Sequence, residues 1–155
     1  MVQKIKRIKG TLYIRNGVST ERVKRAILIV EDDKVDAMSI KRAFKDVDIT
    51  SRLDIVSNGE EAMTYINSKE KANPGIVFLD LNMPKMNGID FLKIVNAKSM
   101  LHNIPIIVMS TSDIKQENEE CFRLNAEGYM VKPIDYNEFV ELIKTINVFW
   151  PMSNK

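Results

Sequence analysis

From residue 26 onward, short apolar segments alternate with amphipathic ones, and this alternation constrains the fold more than any other feature. Five segments have the length and composition of β-strands: residues 26–30, 51–56, 76–79, 105–109 and 127–131. Helical apolar stripes follow them at residues 34–47 and 59–68, from 88 onward, at about 113–125 and from 135 onward. Strands that are apolar throughout are covered on both faces. The sequence therefore predicts an α/β fold, doubly wound around a five-stranded parallel sheet.

Residues with N-cap chemistry precede three of the predicted helices. Asn58 can cap the second helix, and Asp113 with Gln116 can form a capping box at the fourth. Asp135 with Glu138 can cap the fifth. These signals set the starts of the helices more closely than the apolar periodicity does.

The first 25 residues differ from the rest in charge and in pattern. They carry eight Lys or Arg and one acid, a net charge of +7, whereas the rest of the chain has a net charge of −5. Their apolar residues (Ile5, Ile8, Leu12 and Ile14) show no sustained period, which leaves a short helix or a pair of strands open. We divide the chain into a flexible basic arm (1–25), a folded domain (26–150) and a tail (151–155). We expect the arm to lie outside the core and to add little stability.

Composition excludes several classes of protein. The 155 residues are 45% hydrophobic and 28% charged, as in an ordinary folded domain. No apolar run approaches the about 20 residues of a membrane span, and we expect no secretory signal. The single cysteine, Cys121, cannot form an intrachain disulfide, which favours a reducing compartment and hence a cytoplasmic location. The basic arm has no interleaved aromatics beyond Tyr13, so we expect neither nucleic-acid nor membrane binding.

Polar side chains follow four of the five predicted strands. Residues 31–33 (EDD) follow the first strand, and Asp80 follows the third. Residues 110–112 (STS) follow the fourth strand, and Lys132 follows the fifth. In a parallel α/β sheet, ligands gather at the carboxyl ends of the strands. We therefore expect carboxylates, hydroxyls and one ammonium group to meet at one edge.

Each of these groups has an ordinary structural interpretation when taken alone. The acids at 31–33 can be helix caps, Asp80 can be a loop acid, and Lys132 can extend to solvent. Together, the carboxylates would repel one another unless a cation lay between them. Oxygen ligands favour Mg²⁺. A carboxylate beside Mg²⁺, facing an ammonium and a hydroxyl, is a site for phosphoryl transfer to the carboxylate.

Four segments carry a resemblance to a known family. These are VEDD at 30–33, FLDLNMPKMNG at 78–88, MST at 109–111 and GYMVKP at 128–133. They resemble the receiver domain of two-component response regulators (CheY-like), in that family's order and spacing, over residues 26–147. The EDDxxD opening and the VFW ending at 148–150 also resemble the single-domain cyanobacterial phytochrome response regulators. The resemblance implies a flavodoxin-like (βα)5 fold.

The resemblance also implies a role for each residue of the predicted metal site. Asp80 would be the phosphoacceptor. Mg²⁺ would be ligated by Asp32, by Asp80 and by the main-chain carbonyl of Asn82. Glu31 would act on the metal through water.

A second group of roles concerns the phosphoryl group and the switch. Lys132 would pair with the phosphoryl oxygens, and Ser110 would hydrogen-bond them. Tyr129 would rotate inward once Ser110 moves, and the response would reach the fourth helix and fifth strand. The resemblance also implies a cis peptide bond between Lys132 and Pro133.

We interpret the chain as a phosphorylation-gated signalling module and not as an enzyme. A sensor histidine kinase or a histidine phosphotransfer protein would donate the phosphoryl group, because the lone His102 lies in a predicted surface loop. Since only residues 151–155 follow the last helix, we expect the output to be a contact with a downstream protein, and we leave a homodimer open. One alternative is a Mg²⁺-dependent phosphatase with an aspartate nucleophile, but its second acid would fall at Asn82. Another is a scaffold receiver that is never phosphorylated.

Overall fold

A computed structural model describes residues 2–6, 9–17, 25–68 and 73–152 of the chain. Its strands are β1 (Val2–Lys4), β2 (Thr11–Arg15), β3 (Ile27–Val30), β4 (Leu53–Val56), β5 (Ile76–Asp80), β6 (Ile106–Ser110) and β7 (Gly128–Val131). Its helices are α1 (Lys34–Asp46), α2 (Gly59–Asn67), α3 (Gly88–Ala97), α4 (Lys115–Arg123) and α5 (Tyr136–Phe149). None of these helices is both long enough and apolar enough to cross a bilayer.

The strands form one sheet in the order β1-β2-β7-β6-β5-β3-β4. The five strands from β3 to β7 are parallel, as the alternation predicted. The order reverses between β3 and β5, because the chain moves from β3 outward to β4 and then back across to β5. The predicted doubly wound parallel sheet is confirmed, with two antiparallel strands added at one edge.

Two apolar clusters cover the two faces of the sheet. One contains the inward residues of α1 and α5, such as Phe44 and Ile143, and the other contains those of α2, α3 and α4. Strands β3, β5 and β6 are buried along their whole length, because a helix layer covers each face. Burial on both faces explains why these strands are continuous apolar runs in the sequence.

We expected the arm to lie outside the core. For the residues of the arm that the structure describes, this prediction is wrong. β2 pairs antiparallel with β7, and β1 pairs antiparallel with β2. Alternate side chains of β2, Leu12 and Ile14, are fully buried in the cluster that contains α5. A strand needs only two inward side chains and a free neighbouring edge to join a sheet, and a longer apolar period is not required. Residues 1, 7–8 and 18–24 of the arm lie outside the described residues.

The side chains on the other face of β2, Tyr13 and Arg15, bind the two ends of α4. The Tyr13 hydroxyl donates to Asp113 Oδ1 at 2.9 Å, just before the helix. The Arg15 guanidinium donates to the carbonyls of Phe122 and Ala126 and lies over the Phe122 ring. The hairpin of β1 and β2 is therefore attached to both ends of α4 as well as to β7.

The start of α4 differs from the prediction. The N-cap is Ile114, and no side chain accepts a hydrogen bond from the first turn. Asp113 does not form the predicted capping box, because its carboxylate accepts from Tyr13. The predicted caps Asn58 and Asp135 are confirmed, since each accepts from a main-chain N–H of the first turn.

The peptide bond between Lys132 and Pro133 is trans, so the prediction of a cis bond is wrong. The Lys132 N–H donates to the Ser110 carbonyl at 2.7 Å and prolongs the pairing of β7 with β6. The strand itself directs the lysine toward the site, so the usual trans preference of an X–Pro bond is sufficient.

Candidate functional site

The carboxyl ends of the parallel strands bring the polar residues together. Glu31 directly follows β3, Asp80 ends β5, Ser110 ends β6 and Lys132 directly follows β7. In the sheet register, Asp80 lies opposite Met109, the neighbour of Ser110. The topology therefore places these side chains at one edge, next to the point where the strand order reverses.

Lys132 is the centre of the charged cluster. Its Nζ lies 2.6 Å from Glu31 Oε1, 3.4 Å from Asp80 Oδ1 and 3.4 Å from Asp36 Oδ2. The exposed fractions of the Glu31, Asp80 and Lys132 side chains are 1%, 6% and 14%. Asp36, in the first turn of α1 and one turn after Asp32, was not among the predicted site residues. The sequence feature that could have indicated Asp36 is its place as the last acid of the EDDxxD segment.

Three carboxylates form a group that can hold a metal ion. One oxygen each from Glu31, Asp32 and Asp80 lie within 4.8 Å of one another. Glu31 and Asp80 are buried and Asp32 is exposed, so the group has an open side. One lysine cannot neutralise three carboxylates, and this charge excess together with the all-oxygen donors fits a hard divalent cation.

The surroundings of Glu31 and Lys132 raise the pKa of each. Burial and the hydrogen bond with Asp80 raise the pKa of Glu31 to about 7, and Lys132 opposes this rise. Burial alone would lower the pKa of Lys132, but the three surrounding carboxylates outweigh it and raise the pKa. The ammonium therefore stays charged at neutral pH.

The loop after β5 holds Asp80 in place. The Asn82 N–H donates to Asp80 Oδ1 at 3.3 Å, and the Gly88 N–H donates to the Leu81 carbonyl at 3.1 Å. A Cβ on Gly88 would lie 2.7 Å from the Asp80 carbonyl and from Leu81 Cα. Only glycine permits this close approach of α3 to the end of β5, which accounts for the Gly of the DLNMPKMNG segment.

The predicted switch residues meet at a carboxylate that the sequence analysis did not single out. Glu117 Oε1 accepts from the hydroxyls of Ser110 at 2.8 Å and Tyr129 at 2.9 Å. Ser112 also donates to it at 3.3 Å, and the Tyr129 hydroxyl lies 2.9 Å from the Ser112 carbonyl. The Tyr129 side chain is fully buried, so its ring is already inward. The sequence feature that could have indicated Glu117 is its place in the first turn of the helix after residues 110–112 (STS).

Two other residues lie where the sequence predicted. His102 is exposed, in a turn between α3 and β6. Cys121 is fully buried on α4, where burial raises its thiol pKa to about 12. Neither contributes to the charged edge.

The fold and the charged edge define a class of protein. A parallel sheet of order β4-β3-β5-β6-β7 that carries a buried aspartate between acids and a lysine is typical of a receiver domain. The family model of the response regulator receiver domain matches residues 27–144. The chain belongs to this family.

Its relatives include regulators from archaea and cyanobacteria. The probable methanogenesis regulatory protein FilR2 of Methanothrix harundinacea is 29% identical over 127 residues, covering 80% of this chain and 82% of that protein. The response regulator Rcp1 of Synechocystis is 27% identical over 130 residues, covering 81% and 88%.

Solved structures of phytochrome response regulators have the same fold. The phosphorylated cyanobacterial regulator RcpA is 28% identical, with a TM-score of 0.75 over 81% of this chain and 93% of that one. The Mn²⁺-bound form of Rcp1 is 26% identical, with a TM-score of 0.75 over 84% and 96%. The chain is thus a receiver homologous to phytochrome response regulators, and its acidic cluster is suited to a divalent metal.

Proposed function

We propose that Asp80 accepts a phosphoryl group from a phosphohistidine and that Lys132 and Ser110 bind the transferred oxygens. The observation that carries this proposal is the 3.4 Å contact between Lys132 Nζ and Asp80 Oδ1 inside a buried acidic cluster. An ammonium within reach of the nucleophile can neutralise phosphoryl oxygens without a change in the fold.

In the transfer step, one carboxylate oxygen of Asp80 bonds to phosphorus while the phosphorus–nitrogen bond of the donor breaks. The electron pair leaves with the imidazole nitrogen. Asn82 holds Asp80 through its main-chain N–H, so the carboxylate is oriented before the donor arrives.

The residues that would hold Mg²⁺ are Asp32, Asp80 and the main-chain carbonyl of Asn82, with Glu31 acting through water. The clustered carboxylate oxygens support this assignment. A bound Mg²⁺ would withdraw charge from the phosphoryl oxygens. Glu31 is already bound to Lys132 at 2.6 Å, which agrees with an indirect role toward the metal.

The donor would dock on an apolar surface beside the site. A cleft of about 130 Å³ lies between α1 and α5, and Asp36, Lys132 and Ile134 are among its lining residues. Ile134 is fully exposed, and Val35 and Met38 of α1 are 72% and 69% exposed. Exposed large apolar side chains around a charged cleft suit a protein partner, which we identify as a histidine kinase or a histidine phosphotransfer protein of the cytoplasm.

The test is phosphorylation by acetyl phosphate, followed by intact mass. The wild-type protein should gain one phosphoryl group in the presence of Mg²⁺ and none with chelator. Asp80→Asn should gain none, while Asp135→Asn, which keeps an N-cap residue on α5, should react like the wild type. Equal labelling of Asp80→Asn and the wild type would reject the assignment.

A further inference from the structure

The Glu117 carboxylate is the common acceptor of the hydroxyl groups behind the site. The Ser110 and Tyr129 hydroxyls lie 2.8 and 2.9 Å from its Oε1, and the Ser112 hydroxyl lies 3.3 Å from it. The single Tyr129 proton is shared with the Ser112 carbonyl, which is also 2.9 Å away. Ser110 and Tyr129 are fully buried. The ion pairs of the described residues do not include Glu117, so hydroxyl groups are its main partners there.

The first turn of α4 carries Glu117 but has no side-chain cap. The N-cap residue Ile114 provides no side-chain acceptor, and Glu117 lies in the first turn, where negative charge is favourable. Of the residues in α4, only Cys121 and Phe122 are buried. The bonds from Glu117 to Ser110 and Tyr129 are therefore a large part of what holds the N-terminal end of this helix against β6 and β7.

Ser110 cannot serve Glu117 and a phosphoryl group at once. A serine hydroxyl has one proton, and the nearer acceptor of the Ser110 proton is Glu117 Oε1 at 2.8 Å, with Ser112 Oγ at 3.2 Å. The Ser112 N–H donates to the Ser110 oxygen at 3.2 Å, so the hydroxyl is held on both its donor and its acceptor side. A phosphoryl oxygen on Asp80 would need the same proton, so the two anionic acceptors would compete for it.

We propose that Glu117 is a positioning residue that retains the Ser110 hydroxyl in the unphosphorylated protein and releases it when Asp80 is phosphorylated. This inference rests on the proposed function of Asp80. The release removes one of the three donors to Glu117 and loosens the start of α4. The charge change at Asp80 thus reaches the helix through one exchanged hydrogen bond.

The test measures the affinity of beryllofluoride, a phosphoryl mimic, with Mg²⁺ present. Glu117→Ala frees the Ser110 hydroxyl and should bind the mimic about tenfold more tightly than the wild type, given the strength of a hydrogen bond to a charged group. Glu117→Gln keeps the shape but offers a neutral acceptor, so its gain should be smaller. Glu119→Ala, an exposed acid on the same helix, is the matched control and should change nothing.

The effect must depend on Ser110. In a Ser110→Ala background, Glu117→Ala should give no gain, because the competing hydroxyl is gone. An unchanged affinity of Glu117→Ala, or an equal gain with and without Ser110, would overturn this inference alone. A wild-type protein that neither binds beryllofluoride nor becomes phosphorylated would overturn the proposed function, and this inference with it.

Discussion

Charges at the carboxyl edge do not balance, since three carboxylates surround the Lys132 ammonium. Glu31 is affected most, because its side chain is 1% exposed and Asp80 lies beside it. A buried acid next to another acid retains its proton to a higher pH than usual. The stability of the metal-free protein should therefore depend on pH through Glu31.

The sign of this dependence follows from the two states of Glu31. The unfolded chain loses the proton near pH 4.5, whereas the folded protein holds it to about pH 7. The contribution of Glu31 is thus fully present below pH 4.5 and is lost as the pH rises through about 7. In chelator, the wild-type free energy of unfolding should fall relative to that of Glu31→Gln by at most about 3 kcal/mol between pH 4.5 and 8. Urea unfolding measures this, and parallel pH profiles for the two proteins would contradict it.

Cys121 should be chemically inert in the folded protein. Burial and the neighbouring Glu117 and Glu120 raise its pKa to about 12, so the reactive thiolate is scarce at neutral pH. Ellman's reagent should label the folded protein about a thousandfold more slowly than the protein in denaturant. Similar rates in the two conditions would show that α4 does not cover this thiol.

At the scale of elements, the hairpin of β1 and β2 is the feature that distinguishes this molecule from the predicted five-stranded sheet. Its Leu12 and Ile14 pack with α5, and the Tyr13 ring meets Tyr129 edge-on at 6.2 Å between centroids. The hairpin therefore contacts Tyr129 on one face and supports the α5 layer on the other.

Truncating the inner face of the hairpin should destabilise the whole domain. Leu12→Ala leaves a cavity against α5 and should lower the free energy of unfolding by about 2–5 kcal/mol. Gln3→Ala, on the exposed strand β1, should stay within about 0.5 kcal/mol of the wild type. Chemical denaturation compares them, and equal midpoints for Leu12→Ala and Gln3→Ala would show that the hairpin adds no stability.

Helix α4 is the least anchored of the five helices. Only Cys121 and Phe122 of its residues are buried, whereas α5 buries Phe139, Leu142 and two further apolar residues. A helix with so little buried area can shift at a small cost in free energy. Its attachment through Glu117, Tyr13 and Arg15 makes polar contacts unusually important for its position.

At the scale of the whole molecule, the parallel sheet and the charged edge were predictable from the sequence. Continuous apolar strands such as residues 76–79 and caps such as Asn58 are local signals, and the structure agrees with both. The meeting of Glu31, Asp80 and Lys132 followed from one rule, that parallel strands end at the same edge.

The features that were not predictable depend on distant partners. β2 is stable because it pairs with β7, which lies more than a hundred residues later in the chain. No hydrophobic periodicity within β2 indicates that pairing. The local sequence predicts that Asp113 caps α4, but its carboxylate accepts a hydrogen bond from Tyr13 of β2 instead. Glu117 reads as a surface acid of a polar helix until the fold brings Ser110 and Tyr129 to it.

The hairpin also decides how the sheet ends. Without it, β7 would present a row of unpaired main-chain N–H and C=O groups, the template on which chains aggregate edge to edge. With it, the outermost strand on that side is β1, three exposed residues that end at Lys4. A short, lysine-bearing border strand is a poor surface for the addition of another chain. We therefore expect the hairpin to disfavour self-association through this edge of the sheet.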